Sequence, residues 1–184
     1  MASGSGTNLQ ALIDATADGR VAGELALVVT NRPNSGAQHR AEQYDIPLAV
    51  VDHQQFPSRR DFEMAITEQL DAHDIDLVVL AGFMRVLTGA FVRRYSGRLI
   101  NIHPSLLPQF KGRDAVGDAL RAGASQTGVT IHFVEEEVDS GAIIAQESLA
   151  IVAGDTRQTL LARIHAVEHR LYPQVVDRLL RELR

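Results

Sequence analysis

The stretch Glu24–Gly36, which reads ELALVVTNRPNSG, joins a short apolar run to a dense cluster of turn residues. An apolar run that ends in Asn, Pro, Ser and Gly predicts a buried strand over residues 24–30, closed by a turn. The same pattern predicts further strands at residues 48–51, 75–81 and 98–102. Helix-like segments lie around and between these strands at residues 8–18, 36–44, 59–73 and 88–95. Strands that alternate with helices predict an α/β fold with a parallel sheet and right-handed crossovers.

The carboxyl-terminal part of the chain has a different pattern. Residues 127–134 and 142–151 are predicted as two strands joined around Asp139. Residues 156–181 are predicted as one long helix, with Asp155 or Thr156 as its N-cap, because either side chain can accept a hydrogen bond from a free amide of the first turn. A chain of 184 residues is within the usual size range of one domain, so a single domain over residues 1–184 is expected.

The overall composition argues against several classes of protein. A formal net charge of −5 gives no basic surface of the kind that nucleic-acid binding requires. The chain has no cysteine, which excludes disulfides and thiolate metal sites and fits a reducing compartment. The longest apolar run, Leu77 to Met84, is far shorter than the ~20 residues that span a bilayer. We therefore expect a soluble, cytoplasmic protein that has neither nucleic acid nor a membrane as a partner.

Asn101 and His103 are two positions apart at the end of a predicted strand, so their side chains project from the same face. A carboxamide donor beside a titratable imidazole is typical of acyl-type transfer. Asp139 would hold His103 in one tautomer and favour its protonation if the fold brings the two together. The alternative is that Asn101 and His103 only form a turn, since Asn bonds neighbouring backbone and Pro104 fixes the chain direction. These residues alone leave both interpretations open.

The glycine-rich segment Gly4–Asn8, which reads GSGTN, opens the first predicted helix. Glycine permits positive φ angles, so that backbone amides at the helix start can face an anion, and a phosphate is the natural ligand. Leu9 stands where a dinucleotide-binding fingerprint needs its third glycine, and the lysine of a nucleotide P-loop is also absent. A plain turn capped by Thr7 or Asn8 is the alternative.

Four motifs stand in a characteristic order, GSGTNLQ at residues 4–10, AGFMR at 81–85, NIHPSLLP at 101–108 and DSG at 139–141. Through these motifs the chain resembles the phosphoribosylglycinamide formyltransferases of purine synthesis over residues 3–175. Pro104 distinguishes this family from methionyl-tRNA formyltransferases, which resemble HGSLLP, and from formyltetrahydrofolate deformylases, which resemble HHSFLP. The resemblance implies a Rossmann-like, mostly parallel sheet flanked by helices, the formyltransferase fold. It also implies a phosphate-binding half at about residues 1–97 and a catalytic and folate-binding half at about 98–184.

The resemblance further implies the reaction and its substrates. The amine of glycinamide ribonucleotide would attack the formyl carbon of 10-formyltetrahydrofolate directly, with Asn101, His103 and Asp139 as the catalytic residues. Both substrates are small molecules, no metal is expected, and the choice between monomer and homodimer is left open.

The binding residues are likewise carried over from the resemblance. Gly6, Thr7 and Asn8 are expected to bind the ribonucleotide phosphate, and Glu168 another part of the ribonucleotide. The residues expected to bind the folate are Arg59, Met84, Arg85, Val86, Leu87, Asn101, Glu135, Glu136, Glu137, Val138 and Asp139. By the residue pattern alone, the apolar segment 84–87 would be core and the segment 135–137 a solvated turn.

The amino terminus departs from the family's pattern. Relatives carry a central strand immediately before the glycine loop, whereas this sequence starts at Met1, so the first strand is predicted to be missing. Two strand edges and a strip of core would then be exposed, and truncation, a misassigned start or reduced stability are the interpretations. Arg113 and Asp114 also differ from some relatives, in a loop expected to flank the substrate.

Three other functions stay open at this stage. Residues 165–169, HAVEH, fit the H-x-x-E-H pattern in which two histidines on one helix face bind zinc, although a helix with two surface histidines is the plainer interpretation. Hydrolysis of formyltetrahydrofolate could use the same Asn, His and Asp. An inactive module that only binds folate or phosphate is the third possibility.

Overall fold

The computed structural model describes residues 1–183, and the helices and strands follow one another in the predicted order. The helices are α1 (Thr7–Ala17), α2 (Gly36–Gln43), α3 (Arg59–Asp71), α4 (Gly89–Arg94), α5 (Ala115–Arg121) and α6 (Arg157–Glu182). The strands are β1 (Val28–Thr30), β2 (Leu48–Val50), β3 (Val78–Leu80), β4 (Leu99–His103), β5 (Gln126–Phe133) and β6 (Ile143–Ala150). Arg184, the last residue of the predicted domain, lies outside the described residues. No helix in the described part is long and apolar enough to cross a membrane.

The strands form two sheets, one of two strands and one of four. β1 and β2 pair in parallel, with Val28 opposite Leu48. The second sheet has the order β3-β4-β5-β6, and it is parallel between β3 and β4 but antiparallel from β4 onward. The predicted α/β class is confirmed. The parallel pairs come from the region where strands and helices alternate, and the antiparallel pairs come from the strands predicted on either side of Asp139.

The first three residues lie between the two sheets. The Ala2 amide donates to the Val29 carbonyl oxygen at 2.9 Å, and the Ala81 amide donates to the Met1 carbonyl oxygen at 2.8 Å. Ala2 also forms a parallel bridge with Thr30. Residues 1–3 therefore join the sheets at the carboxyl ends of β1 and β3, directly before the glycine-rich segment.

Beside Met1 the space between the sheets is open. A cavity of about 860 Å³ is lined on one side by residues 21–29 and on the other by residues 73–79. The Met1 ammonium is buried at its edge and donates to the Val79 carbonyl oxygen at 2.7 Å. Because burial disfavours a charge, the pKa of this ammonium is lowered from 8.0 to about 5.

Two boundaries differ from the sequence-based predictions. The strand predicted at residues 24–30 is paired only over Val28–Thr30, because the open cavity lies beside the preceding residues and no strand within residues 1–183 pairs with them. Residues 115–121 form α5, which the apolar pattern did not predict because the helix is only two turns long. The long helix is confirmed, and Thr156 is its N-cap, paired with Thr159 in a reciprocal capping box.

Helix α6 covers the larger sheet and orients the side chains of the site. Leu160, Ile164 and Tyr172 on its buried face pack with Ile100, Val129 and Ile131 of the sheet. The Tyr172 hydroxyl donates to the Leu80 carbonyl oxygen at 3.0 Å, which joins the helix to the end of β3. Glu168 lies on the same buried face, one turn before Tyr172.

Candidate active site

Strand β4 places Asn101 and His103 on one face of the sheet, as their alternate spacing predicts. His103 is buried. Its Nε2 lies 2.8 Å from the Phe110 carbonyl oxygen, and its Nδ1 lies 3.5 Å from Asp139 Oδ2. A proton on either ring nitrogen therefore has an acceptor, which suits a group that takes up and returns a proton.

Asp139 is brought to His103 by the turn between β5 and β6. Its backbone has a φ of 52°, an αL conformation that Asp tolerates better than most residues. Its Oδ2 also accepts a hydrogen bond from the Gly112 amide at 2.8 Å. The predicted association of Asn101, His103 and Asp139 thus agrees with the geometry, and the loop at residues 110–112 helps to hold it.

A second histidine joins this cluster, and the sequence analysis missed it. His132 on β5 lies opposite Asn101 in the antiparallel register. Its Nδ1 is 2.8 Å from the Phe133 carbonyl oxygen, so this nitrogen carries the proton and Nε2 can accept from Asn101 Nδ2 at 3.3 Å. Burial lowers the pKa of His132, which favours this neutral form. Its Nε2 also lies 3.7 Å from Asp139 Oδ1.

The glycine-rich segment forms one wall of a smaller cavity of about 250 Å³. Gly6 is the N-cap of α1 with a φ of 72°, and a Cβ there would lie 2.9 Å from the Ala37 Cα, so the turn requires glycine. The start of α1 lies in the wall of the cavity, since Gly6, Thr7 and Asn8 are among its lining residues. Arg113, whose loop was expected to flank the substrate, also lines this cavity, as do Arg157 and His165, which were not among the predicted binding residues.

Glu168 lies in the same cavity and is tied to the glycine-rich segment. Asn8 Nδ2 donates to Glu168 Oε2 at 2.9 Å, while Asn8 Oδ1 is buried without a partner among residues 1–183. Burial raises the pKa of Glu168 to about 7, although the Asn8 hydrogen bond opposes the shift. The structure thus brings Asn8 and Glu168 together, although they are 160 positions apart in the chain.

The two histidines of the HAVEH segment lie on α6 with their rings stacked, the centroids 5.8 Å apart and the planes 14° apart. Glu168 Oε2 lies 4.0 Å from His165 Nε2 and accepts the hydrogen bond from Asn8. Among residues 1–183 no group of three His, Cys, Asp or Glu side chains could hold a metal ion.

The residues expected to bind folate occupy different environments. Met84 and Val86 are exposed, and Met84 reaches the smaller cavity, whereas Leu87 packs in the core and Arg85 is half-buried. Arg59 is exposed at the start of α3.

The turn before Asp139 is also exposed, but ion pairs hold it. Glu136 pairs with Arg93, and Lys111 Nζ lies 3.1 Å from Glu137 Oε1. Glu135 and Val138 are exposed as well. These contacts place the turn beside α4 and beside the loop that contacts His103 and Asp139.

The chain is similar in sequence and in fold to known formyltransferases. The chain matches the family described as Formyl transferase over residues 1–176. It is 42% identical over 179 residues to the phosphoribosylglycinamide formyltransferase of Bacillus subtilis, covering 97% of this chain and 92% of that protein. The crystal structure of phosphoribosylglycinamide formyltransferase from Bacillus halodurans superposes with a TM-score of 0.96 at 44% identity, covering 100% of this chain and 94% of that one.

Longer relatives contain the same region. The chain is 47% identical over 175 residues to the trifunctional purine biosynthetic protein adenosine-3 of Gallus gallus, covering 95% of this chain. It spans only 17% of that protein's length. Because the family match extends over residues 1–176, nearly all of the described residues, the chain belongs to the formyl transferase family.

Proposed function

We propose that the protein transfers the formyl group of 10-formyltetrahydrofolate to the amine of glycinamide ribonucleotide, a step of de novo purine biosynthesis. The observation that carries the proposal is the position of the triad. Asn101, His103 and Asp139 cluster at the end of β4, and the adjoining Pro104 lines the cavity that the glycine-rich segment opens into. A phosphorylated amine could therefore be held with its amine close to the triad.

The ribonucleotide occupies the smaller cavity in this proposal. The phosphate lies at the amino terminus of α1, where the amides of Gly6, Thr7 and Asn8 donate to no other group among residues 1–183 and the helix dipole favours an anion. Glu168 accepts hydrogen bonds from the ribonucleotide, and its bond to Asn8 couples the two halves of the binding site. The two halves proposed for the single domain, at about residues 1–97 and 98–184, meet at this cavity.

The folate lies against the segment 84–87, whose Met84 also borders the cavity proposed for the ribonucleotide. Met84 and Val86 offer exposed apolar side chains, and the backbone of the segment 84–87 is available to bond the edge of the pteridine ring. The turn 135–139 closes over the ring, and Arg59 holds the acidic tail. Burial of the flat ring on exposed apolar side chains favours binding, and the backbone groups set its orientation.

The chemical step is a direct attack without a covalent enzyme intermediate. The amine nitrogen forms a bond to the formyl carbon, and the carbonyl oxygen becomes an oxyanion. Asn101 Nδ2 donates a hydrogen bond to it, and so does His103 once its Nε2–H turns from the Phe110 carbonyl oxygen to the oxyanion. The bond from the carbon to N10 of the folate then breaks. The proton lost by the amine passes to N10, with Asp139 orienting His103 or a water for the transfer. Holding both substrates together supplies much of the rate.

The test is a spectroscopic measurement of tetrahydrofolate release by the purified protein, with and without glycinamide ribonucleotide. The proposal predicts release only when the ribonucleotide is present. Release at the same rate without it would indicate that water is the acceptor, which is the hydrolase alternative. No release under either condition would indicate a binding module without activity.

A further inference from the structure

The loop Gly82–Thr88, between β3 and α4, carries the exposed Met84 and Val86 but has no helix or strand of its own. Met84 is 60% exposed and Val86 is 54% exposed. Phe83 and Leu87 of the same loop are buried in the core, but apolar packing does not orient the backbone amides and carbonyls beside them, so hydrogen bonds from outside the loop must do so. Two buried polar side chains, one at each end, supply them.

Ser3 holds the amino-terminal end of the loop. Its amide donates to the Gly82 carbonyl oxygen at 3.1 Å, and its Oγ accepts from the Met84 amide at 2.8 Å. The single hydroxyl proton of Ser3 is donated to Asn31 Oδ1, so the oxygen's lone pairs are left for Met84. Ser3 and Asn31 are both almost fully buried, at 2% and 1% exposed, so water does not replace these bonds.

Glu63 of α3 holds the carboxyl-terminal end. Its Oε1 accepts from the Thr88 amide at 2.8 Å, and its Oε2 accepts from the Thr88 hydroxyl. Thr88 is also the N-cap of α4, where its Oγ accepts from the Phe91 amide. Glu63 is only 5% exposed and makes no ion pair among residues 1–183, so Thr88 provides the hydrogen bonds that stabilise its carboxylate. A buried carboxylate without such partners is costly.

We propose that Ser3 and Glu63 are positioning residues for the folate, acting through the backbone of the Gly82–Thr88 loop. This inference rests on the proposed function, in which that loop receives the pteridine ring. Neither side chain touches the substrate. Each fixes one end of the loop, so that the amides and carbonyls between them are already oriented when the ring arrives, and little ordering entropy is lost on binding.

The experiment compares equilibrium binding of tetrahydrofolate, an unreactive product, to the wild-type protein and to Ser3→Ala and Glu63→Ala. Removal of either side chain should weaken tetrahydrofolate binding about tenfold, which is the effect of about one buried hydrogen bond. Affinity for glycinamide ribonucleotide should change less than about twofold, and kcat at saturating folate should stay close to the wild-type value, because the triad is untouched.

Two further variants separate positioning from loss of stability. Glu63→Gln keeps an acceptor for the Thr88 amide and should recover most of the tetrahydrofolate affinity. Thr156→Ala removes the N-cap of α6 at an exposed position outside the proposed folate site, and should lower the unfolding midpoint without changing folate binding. Hydrogen exchange of the amides at residues 82–88 should speed up in Ser3→Ala and Glu63→Ala but not in Thr156→Ala.

The outcomes are distinguishable. If the wild-type protein binds tetrahydrofolate and folded Ser3→Ala and Glu63→Ala bind it equally well, the inference is overturned and the proposed function stays intact. Equal weakening for both substrates would assign these residues a general structural role instead. A wild-type protein that binds no tetrahydrofolate would overturn the proposed function, and the positioning role with it.

Discussion

Adding about five apolar residues ahead of Met1, a typical strand length, should raise the free energy of unfolding of this protein. The added segment would enter the cavity between β1 and β3 and pair with both strand edges. In the extended chain the Met1 nitrogen is an amide, which can still donate to the Val79 carbonyl oxygen but carries no charge. The expected gain therefore has an electrostatic part and an apolar part.

The electrostatic part depends on pH. The Met1 ammonium has a pKa of 8.0 ordinarily and about 5 in the folded chain, so between these values the unfolded state binds more protons. The free energy of unfolding therefore rises with pH across this range. At about 1.4 kcal/mol per pKa unit, the buried ammonium destabilises the fold by roughly 4 kcal/mol at pH 5 and roughly 1.4 kcal/mol at pH 7. Above pH 8 its effect is small.

The apolar part does not depend on pH. Each buried apolar side chain contributes about 1.5–3 kcal/mol, and ordering each residue costs about 1.5 kcal/mol, so the net gain of a five-residue strand ranges up to about 7.5 kcal/mol, with a midpoint near 4 kcal/mol. Anchoring the chain directly before the Gly4–Asn8 segment should also tighten the binding of glycinamide ribonucleotide.

Urea unfolding at pH 5, 6, 7 and 8 would measure both parts on three chains: the present one, one extended by apolar residues, and one extended by Gly and Ser. The Gly and Ser extension removes the charge alone and should flatten the pH dependence. The apolar extension should flatten it and add stability at every pH. If all three chains unfold with the same pH dependence and the same midpoint, the account of the cavity and of the buried ammonium is refuted.

Three further predictions concern the binding site. Gly6→Ala should weaken affinity for glycinamide ribonucleotide at least tenfold and lower the unfolding midpoint. Gly6 has a φ of 72°, and a Cβ there would lie only 2.9 Å from the Ala37 Cα. Titration curves equal to those of the wild-type protein would contradict this. Because burial raises the pKa of Glu168 to about 7, ribonucleotide affinity should increase from pH 6 to pH 8 as the carboxylate forms. Glu168→Gln should remove that increase. If the affinity of the wild-type protein and of Glu168→Gln changed with pH in the same way, Glu168 would have no role in binding. A chelator should leave turnover unchanged, since the proton transfers assigned to His103 need no Lewis acid, whereas stoichiometric zinc that is lost in His165→Ala would favour the peptidase alternative.

Local signals in the sequence predicted much of the fold. Alternating apolar runs and helical segments gave the order of the elements, and the Thr156 cap located the start of α6. The short pairing of β1 could not be predicted from residues 24–30, because a strand forms only where a neighbour supplies hydrogen bonds. Helix α5 was missed because a two-turn helix shows too little periodicity.

The candidate site was predicted in part. Asn101 and His103 share a face by strand geometry alone, but that Asp139 reaches His103 depends on the turn between β5 and β6. His132 became visible only through the cross-strand register opposite Asn101, which an isolated histidine in a predicted strand does not reveal. Glu63 looked like an ordinary helical glutamate, and only tertiary packing buries it beside Thr88.

The most direct test of the central claim is the steady-state kinetics of Asn101→Ala, His103→Ala and Asp139→Ala with both substrates. Their roles belong to the transition state, so each substitution should lower kcat, by about 10²–10³ for an oxyanion donor, while both KM values change only a few-fold. Near-full turnover in all three variants would contradict the assignment of the active site.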